Sequence, residues 1–235
     1  MSKKKVIKKT TTTIITEETI TNERTQIICI LDRSGSMSSI IDDARGGFNE
    51  FLKSQKKLKD EATFTVALFD DEYELLYDNI PVKDVEEITE EIWSPRGMTA
   101  LNDAIGKTIN DVKANHLKLK DEKPNKVIVC IVTDGQENSS REYKSETIKQ
   151  LIGECEKDNW TFVYLAANQD AFSVGSTYGF SAGNTMNFNA DTTGMKNVYA
   201  TLTDSVTSYR SFSSTSGDFK TKADNLIGGD DVSDS

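Results

Sequence analysis

Only one histidine, His116, occurs in the 235 residues. A serine hydrolase needs a base beside its nucleophile. With no Gly-x-Ser-x-Gly and only this imidazole on offer, that chemistry is set aside. His116 lies amid lysines near the end of a helical pattern, where it is expected on the surface and not as a ligand. Cysteine is scarce too: three residues, without tight spacing, make neither a disulfide framework nor a zinc site. Cys29 and Cys130 fall inside apolar runs and Cys155 on the apolar side of a helix, so buried thiols in a reducing compartment are expected. No apolar run approaches the roughly 20 residues of a membrane span. The basic start also lacks the apolar segment of a secretory signal, so the expectation is a cytoplasmic protein with no membrane partner. Positive charge is in deficit. The 28 Lys and Arg against 38 Asp and Glu leave a net charge of −10, which argues against nucleic acid as a partner.

What the chain does have is the stretch Ile27-Ile28-Cys29-Ile30-Leu31-Asp32-Arg33-Ser34-Gly35-Ser36-Met37. A short apolar run that stops at an aspartate reads as a strand buried on both faces, as in a parallel sheet. Open α/β folds place ligands in the crevice at the carboxyl ends of such strands. Side chains two apart can point the same way, so Asp32, Ser34 and Ser36 can aim three oxygens at one point, with Gly35 letting the backbone bend between them. One carboxylate with two hydroxyls is a hard oxygen set that suits Mg²⁺ or Mn²⁺.

Two later stretches complete the pattern. Pro95-Arg96-Gly97-Met98-Thr99-Ala100-Leu101 sets a threonine in a turn before a helical pattern, and Val127–Asp134 is a second apolar strand ending in aspartate. Together these residues resemble the von Willebrand factor A family, whose metal-ion-dependent adhesion site uses Asp-x-Ser-x-Ser, a distant Thr and a distant Asp. The match falls on Asp32, Ser34, Ser36, Thr99 and Asp134, without substitution. The resemblance covers about Arg24 to Phe212. It implies an α/β, doubly wound, mostly parallel central sheet of about six strands, with one short antiparallel edge strand and helices on both faces. It also implies metal ligands on exposed loops at the sheet edge.

Taken in order, residues 1–22 are a basic, Thr-rich N-terminal arm, which could add to a sheet edge, touch an anionic partner or remain solvated. Residues 23–213 are where the resemblance implies a von Willebrand factor A domain, and residues 214–235 read as a flexible acidic C-terminal tail. Within the domain, Ser38 or Ser39 can cap a helix running to about Lys59. Gly46-Gly47 in that helix would cost about 1 kcal/mol each relative to alanine, which a close approach to the sheet would explain. Thr63–Phe69 and Tyr73–Tyr77 form a hairpin across Asp70-Asp71-Glu72. Residues 82–92 are acidic and are expected to form a short helix. Trp93 either lines the rim or fills the core. Helical patterns follow Thr99 and Ser140, a fifth strand spans Trp160 to Ala166, a weak sixth spans Thr185 to Asn189, and a last helix carries Met195 to Tyr209.

Several chemistries fail on particular residues. Gly106-Lys107-Thr108 resembles the end of a P-loop, but Leu101 stands where the first glycine must be. Ser34 and Ser36 replace the ligands that a calcium EF-hand requires. Ser34 also stands where an aspartyl phosphotransferase of the haloacid dehalogenase type has its general acid. The favoured reading is a non-enzymatic, metal-dependent protein-binding module: the cofactor is Mg²⁺ or Mn²⁺, and the partner is another protein whose Asp or Glu carboxylate completes the metal shell. This is the binding mode that the resemblance implies, and the chain also resembles short stand-alone members of the family from bacteria and phages. Gln136–Ser140, Asp70–Glu72 and Asn168–Asp170 would lend specificity. Asp230, Asp231 and Asp234 could carry self-association through the same site. The alternative is a metal-dependent hydrolase of phosphate esters with Glu137 or Asp70 as base.

Overall fold

The apolar run before Asp32 forms the first strand, β1 (Thr25–Asp32), buried at every residue. The computed structural model describes residues 24–167 and 171–211; the N-terminal arm, the C-terminal tail and Asn168–Asp170 lie outside the described residues. The other strands are β2 (Ala62–Phe69), β3 (Tyr73–Pro81), β4 (Lys126–Thr133), β5 (Trp160–Ala167) and β6 (Thr185–Phe188). They form one sheet in the order β3-β2-β1-β4-β5-β6, in which only β3 runs antiparallel to its neighbour. β1 pairs in register with β2 from Thr25↔Ala62 to Asp32↔Phe69, and with β4 from Thr25↔Lys126 to Leu31↔Val132.

Because strand side chains alternate, β1 feeds two cores. Ile27, Cys29 and Leu31 pack with helices α1 (Ile41–Lys56) and α5 (Thr192–Ser211). Ile28 and Ile30 pack on the opposite face with α2 (Leu101–Leu119), α3 (Ser145–Lys157) and α4 (Ala171–Tyr178). The fold is the expected doubly wound α/β sheet. From β1 the chain goes first to β2 on one side and later to β4 on the other, so the topological switch point lies between β1 and β4. That is where such sheets open a crevice. Among the described residues no helix is long and apolar enough to cross a membrane.

Several local expectations are corrected. The antiparallel edge strand is not short, since β3 has nine residues. The serines after Met37 do not cap α1. The chain first makes a 3₁₀ turn (Gly35–Ser39), Ser38 Oγ donates back to Gly35 O at 2.7 Å, and α1 starts after Ile40 and ends at Lys56. Residues 82–92 form no α-helix. After one 3₁₀ turn (Val82–Asp84) the segment runs irregularly over α1. The Asn49 side chain stands in for a strand neighbour there, with Ile88 N donating to its Oδ1 at 2.9 Å and its Nδ2 donating to Ile88 O at 3.0 Å. This satisfies the backbone without helical turns.

Of the two glycines in α1, Gly47 answers to α5 and not to the sheet. A methyl group on Gly47 would lie 2.3 Å from the Tyr199 ring, whereas one on Gly46 would meet nothing within 4 Å. His116 is not on the open surface. It is half-buried, its Nε2 is 2.6 Å from Gln26 Oε1, and its ring stands edge-on to Trp160. Burial, with Lys123 nearby, holds its pKa below the usual value. All three cysteines are buried and free.

Candidate metal centre

The switch point carries the five oxygens singled out in the sequence. Asp32 ends β1, and Ser34 N donates to its Oδ1 at 2.6 Å. This local turn is typical of an aspartate bonding its own backbone two residues on. Ser34 Oγ lies 3.0 Å from Ser36 Oγ, which donates to Asp134 Oδ1 at 2.6 Å. Asp134 follows the last residue of β4. Thr99 precedes α2, and its hydroxyl closes the ring: a methyl group on Gly135 would fall 2.6 Å from Thr99 Oγ1 and 3.3 Å from Ser36 Oγ. Glycine at 135 therefore leaves the space in which these hydroxyls stand together.

The expectation of exposed ligand loops is corrected. Asp32, Ser34, Thr99 and Asp134 are 0, 1, 3 and 8 % exposed, and Ser36 alone stands open to solvent. Burial pushes the Asp32 carboxyl up to about 6. Hydrogen bonds from Ser34 and Thr133 work against that shift, and the nearby Asp134 adds to it. Asp134 is also raised, chiefly by burial. No Lys or Arg pairs with either carboxylate among the described residues. Two partly or fully desolvated anions without a cation are electrostatically unfavourable. Three hydroxyls at the same spot offer further hard oxygens, a set that fits Mg²⁺ or Mn²⁺. No three His, Cys, Asp or Glu gather as metal ligands among the described residues.

A second group of residues, not visible in the motif, holds this ring. Thr133 Oγ1 donates to Asp32 Oδ2 at 2.5 Å. Trp93 is core and not rim; it is fully buried, and its Nε1 donates to Asp32 O at 2.9 Å. Thr99 N donates to Asn138 Oδ1 at 2.9 Å. Glu137 occupies the amino end of α2. Its Oε2 accepts from Asn102 N at 2.8 Å and Ser140 Oγ at 2.7 Å, and its Oε1 accepts from Ser139 N and Ser140 N. An intramolecular carboxylate thus satisfies the helix dipole. Asp103 in the same turn accepts from Arg141 N, Glu142 N and Tyr143 N. Their signal was the density of Asp, Asn, Glu and Ser around a helix start, which is a capping signature.

The comparisons agree with this fold. Residues 27–136 match the family model described as the von Willebrand factor type A domain. No curated protein matches the chain. Among solved structures, manganese-loaded Plasmodium vivax TRAP protein is 17% identical at a TM-score of 0.55, over 75% of this chain and 72% of that one. Proximal thread matrix protein 1 from the mussel byssus is 14% identical at 0.55, over 77% of this chain and 45% of that one. The ArnB paralog VWA2 from Sulfolobus acidocaldarius is 17% identical at 0.52, over 77% and 44%. The chain therefore spans less than half the length of the latter two structures. At these identities the likeness establishes the fold. The family model and the structural neighbours together support a von Willebrand factor A domain, a class that often mediates metal-dependent adhesion or protein binding.

Proposed function

We propose that this chain is a metal-dependent protein-binding module. Asp32, Ser34, Ser36, Thr99 and Asp134 would hold Mg²⁺ or Mn²⁺, directly or through water, and the partner is another protein that presents an Asp or Glu carboxylate. The observation that carries this reading is the pair of carboxylates, Asp32 and Asp134, that flank hydroxyls at the sheet's switch point without a paired cation among the described residues. The bound ion would supply a positive centre with few anionic ligands, to which a carboxylate of a second protein can add. Ser36, open to solvent, marks the side from which that group approaches.

Binding is favoured over catalysis because the two carboxylates available as base are already engaged. Glu137 accepts at both oxygens from backbone N–H groups, and Asp70 accepts from Arg96 and from Glu72 N. A general base must be free to reach a substrate proton or a water. Of the loops expected to lend specificity, Glu137, Asn138 and Asp70 instead brace the site, and Asn168–Asp170 lies outside the described residues.

The test is capture from the native cell on immobilised protein. A partner retained with Mg²⁺, released by chelator and absent from an Asp32→Asn column is the expected result. A partner that stays bound in chelator and to the variant would show binding by another surface.

A further inference from the structure

The acidic turn between β2 and β3 does more than reverse the chain. Asp70 is 1% exposed, yet its carboxylate meets two arginines from the two loops that carry the site's hydroxyls. Its Oδ2 accepts from Arg96 Nε at 2.6 Å, and Arg96 is three residues before Thr99. The same oxygen stands 3.4 Å from Arg33 Nε, between Asp32 and Ser34. That second contact is an ion pair without a formed hydrogen bond, since Arg33 Nε is buried with no hydrogen-bond partner. Arg33 is fixed at its other end by Glu74 Oε2, 2.5 Å from Nη1.

Backbone bonds run along the same seam. Ala100 N donates to Asp70 O at 2.8 Å, Arg96 N to Arg33 O at 2.7 Å, and Gly35 N to Gly97 O at 3.2 Å. Asp71 Oδ1 accepts from Met98 N at 3.3 Å. Gly97, at φ +66°, passes so close that a methyl group there would lie 1.9 Å from Asp71 Oδ1. The 95–99 loop is thus pressed between the acidic turn and the Asp32–Ser36 loop, and among the described residues Asp70 is the one buried charge that touches arginines of both.

We infer that Asp70 is a positioning residue for the metal centre: through Arg96 and Arg33 it fixes Thr99 against Ser34 and Ser36. This rests on the metal-binding reading above. Asp70 is not one of the five proposed ligands, and its Oδ1 is taken by Glu72 N at 2.7 Å. Both of its oxygens accept, so an amide in either orientation would set its NH₂ against a donor. Asp70→Asn therefore disturbs the clamp with almost no change of shape, and all five proposed ligands remain.

The experiment measures Mn²⁺ affinity by paramagnetic resonance in chelator-stripped protein, and bound waters by the luminescence lifetime of Tb³⁺ at saturation. Asp70→Asn is expected to weaken Mn²⁺ binding by about 10- to 100-fold, the usual cost of losing an outer-shell partner. It should also add metal-bound water as Thr99 disengages. Arg96→Gln breaks the same contact from a half-exposed side chain, so it reports even if Asp70→Asn folds poorly, and it should shift both readouts the same way. Glu154→Gln, whose carboxylate pairs with Lys113 away from this seam, is the control expected to leave both readouts unchanged. A merely structural role would lower the metal-free melting temperature and leave the bound-water count at saturation as in wild type. Wild-type affinity and water count in Asp70→Asn and Arg96→Gln would overturn the inference while metal binding stands. No Mn²⁺ binding by wild-type protein would overturn the metal reading, and the inference with it.

Discussion

In chelator-stripped protein, Asp32→Asn is expected to be more stable than wild type at pH 7, and the difference should close on acidification. Asp32 is fully buried, and burial lifts its carboxyl to about 6 in the folded state. The unfolded value is near 4. Between these values the native state binds more protons than the unfolded state, so stability falls as pH rises across that window. Above about pH 6 the folded protein carries a desolvated charge, which costs about 3 kcal/mol from a shift of roughly two units. Below about pH 4 both states are protonated and the cost vanishes. Asparagine removes the charge and keeps an oxygen for Ser34 N. Thr133 can turn its hydroxyl proton toward Gly135 O, 3.2 Å away, and accept from the new amide. Denaturant midpoints of both proteins from pH 4 to 7 check this. A variant less stable than wild type at pH 7 without metal would contradict it.

A loss of similar size is expected at the opposite edge of the sheet. The Arg210 side chain is fully buried at the end of α5. Its Nε donates to Asp60 Oδ2 at 2.7 Å, its Nη2 to Asp60 O at 2.9 Å, and its Nη1 to Gln55 O at 3.0 Å and Gln55 Oε1 at 3.1 Å. One guanidinium therefore ties α5 to the end of α1 and to the chain entering β2. Removing one partner of a buried ion pair costs about 3–5 kcal/mol. Asp60 is 38% exposed and can regain water, which places Arg210→Met at the lower end, about 3 kcal/mol. Because these contacts lie at the amino ends of the strands, Mn²⁺ affinity of the folded protein should not change. Urea unfolding and Mn²⁺ titration of the same variant separate the two effects; weaker metal binding by folded Arg210→Met would contradict the separation.

Much of the fold was legible because β1, β4 and β5 each carry a run of five or more apolar residues, and Asp32 and Asp134 stand at the ends of two of these strands. Ser34 and Ser36 could be grouped with Asp32 by spacing alone, whereas Thr99 and Asp134 joined them through resemblance to a family pattern. The clamp of Asp70 on Arg96 was not legible, since an ion pair across 26 residues leaves no local periodicity. The same holds for Thr133 on Asp32, 101 residues apart. Residues 82–92 were misread because acidic composition suggests a helix, while the deciding contact is one Asn49 side chain from α1. Gly47 was assigned to the wrong neighbour for a related reason. The sequence marks a close approach without naming Tyr199, 152 residues on. Burial of the site itself follows from Trp93 and the 95–99 loop folding over Asp32, a tertiary effect.

The most direct test of the central claim is a calorimetric titration of Mn²⁺ into the chelator-stripped full chain, paired with its melting temperature. The account predicts one ion bound per chain, no heat with Asp32→Asn, and a stabilisation of wild type worth about 2.7 kcal/mol at a hundredfold excess over Kd. Millimolar Mn²⁺ that gives neither binding heat nor a change in melting temperature would contradict it.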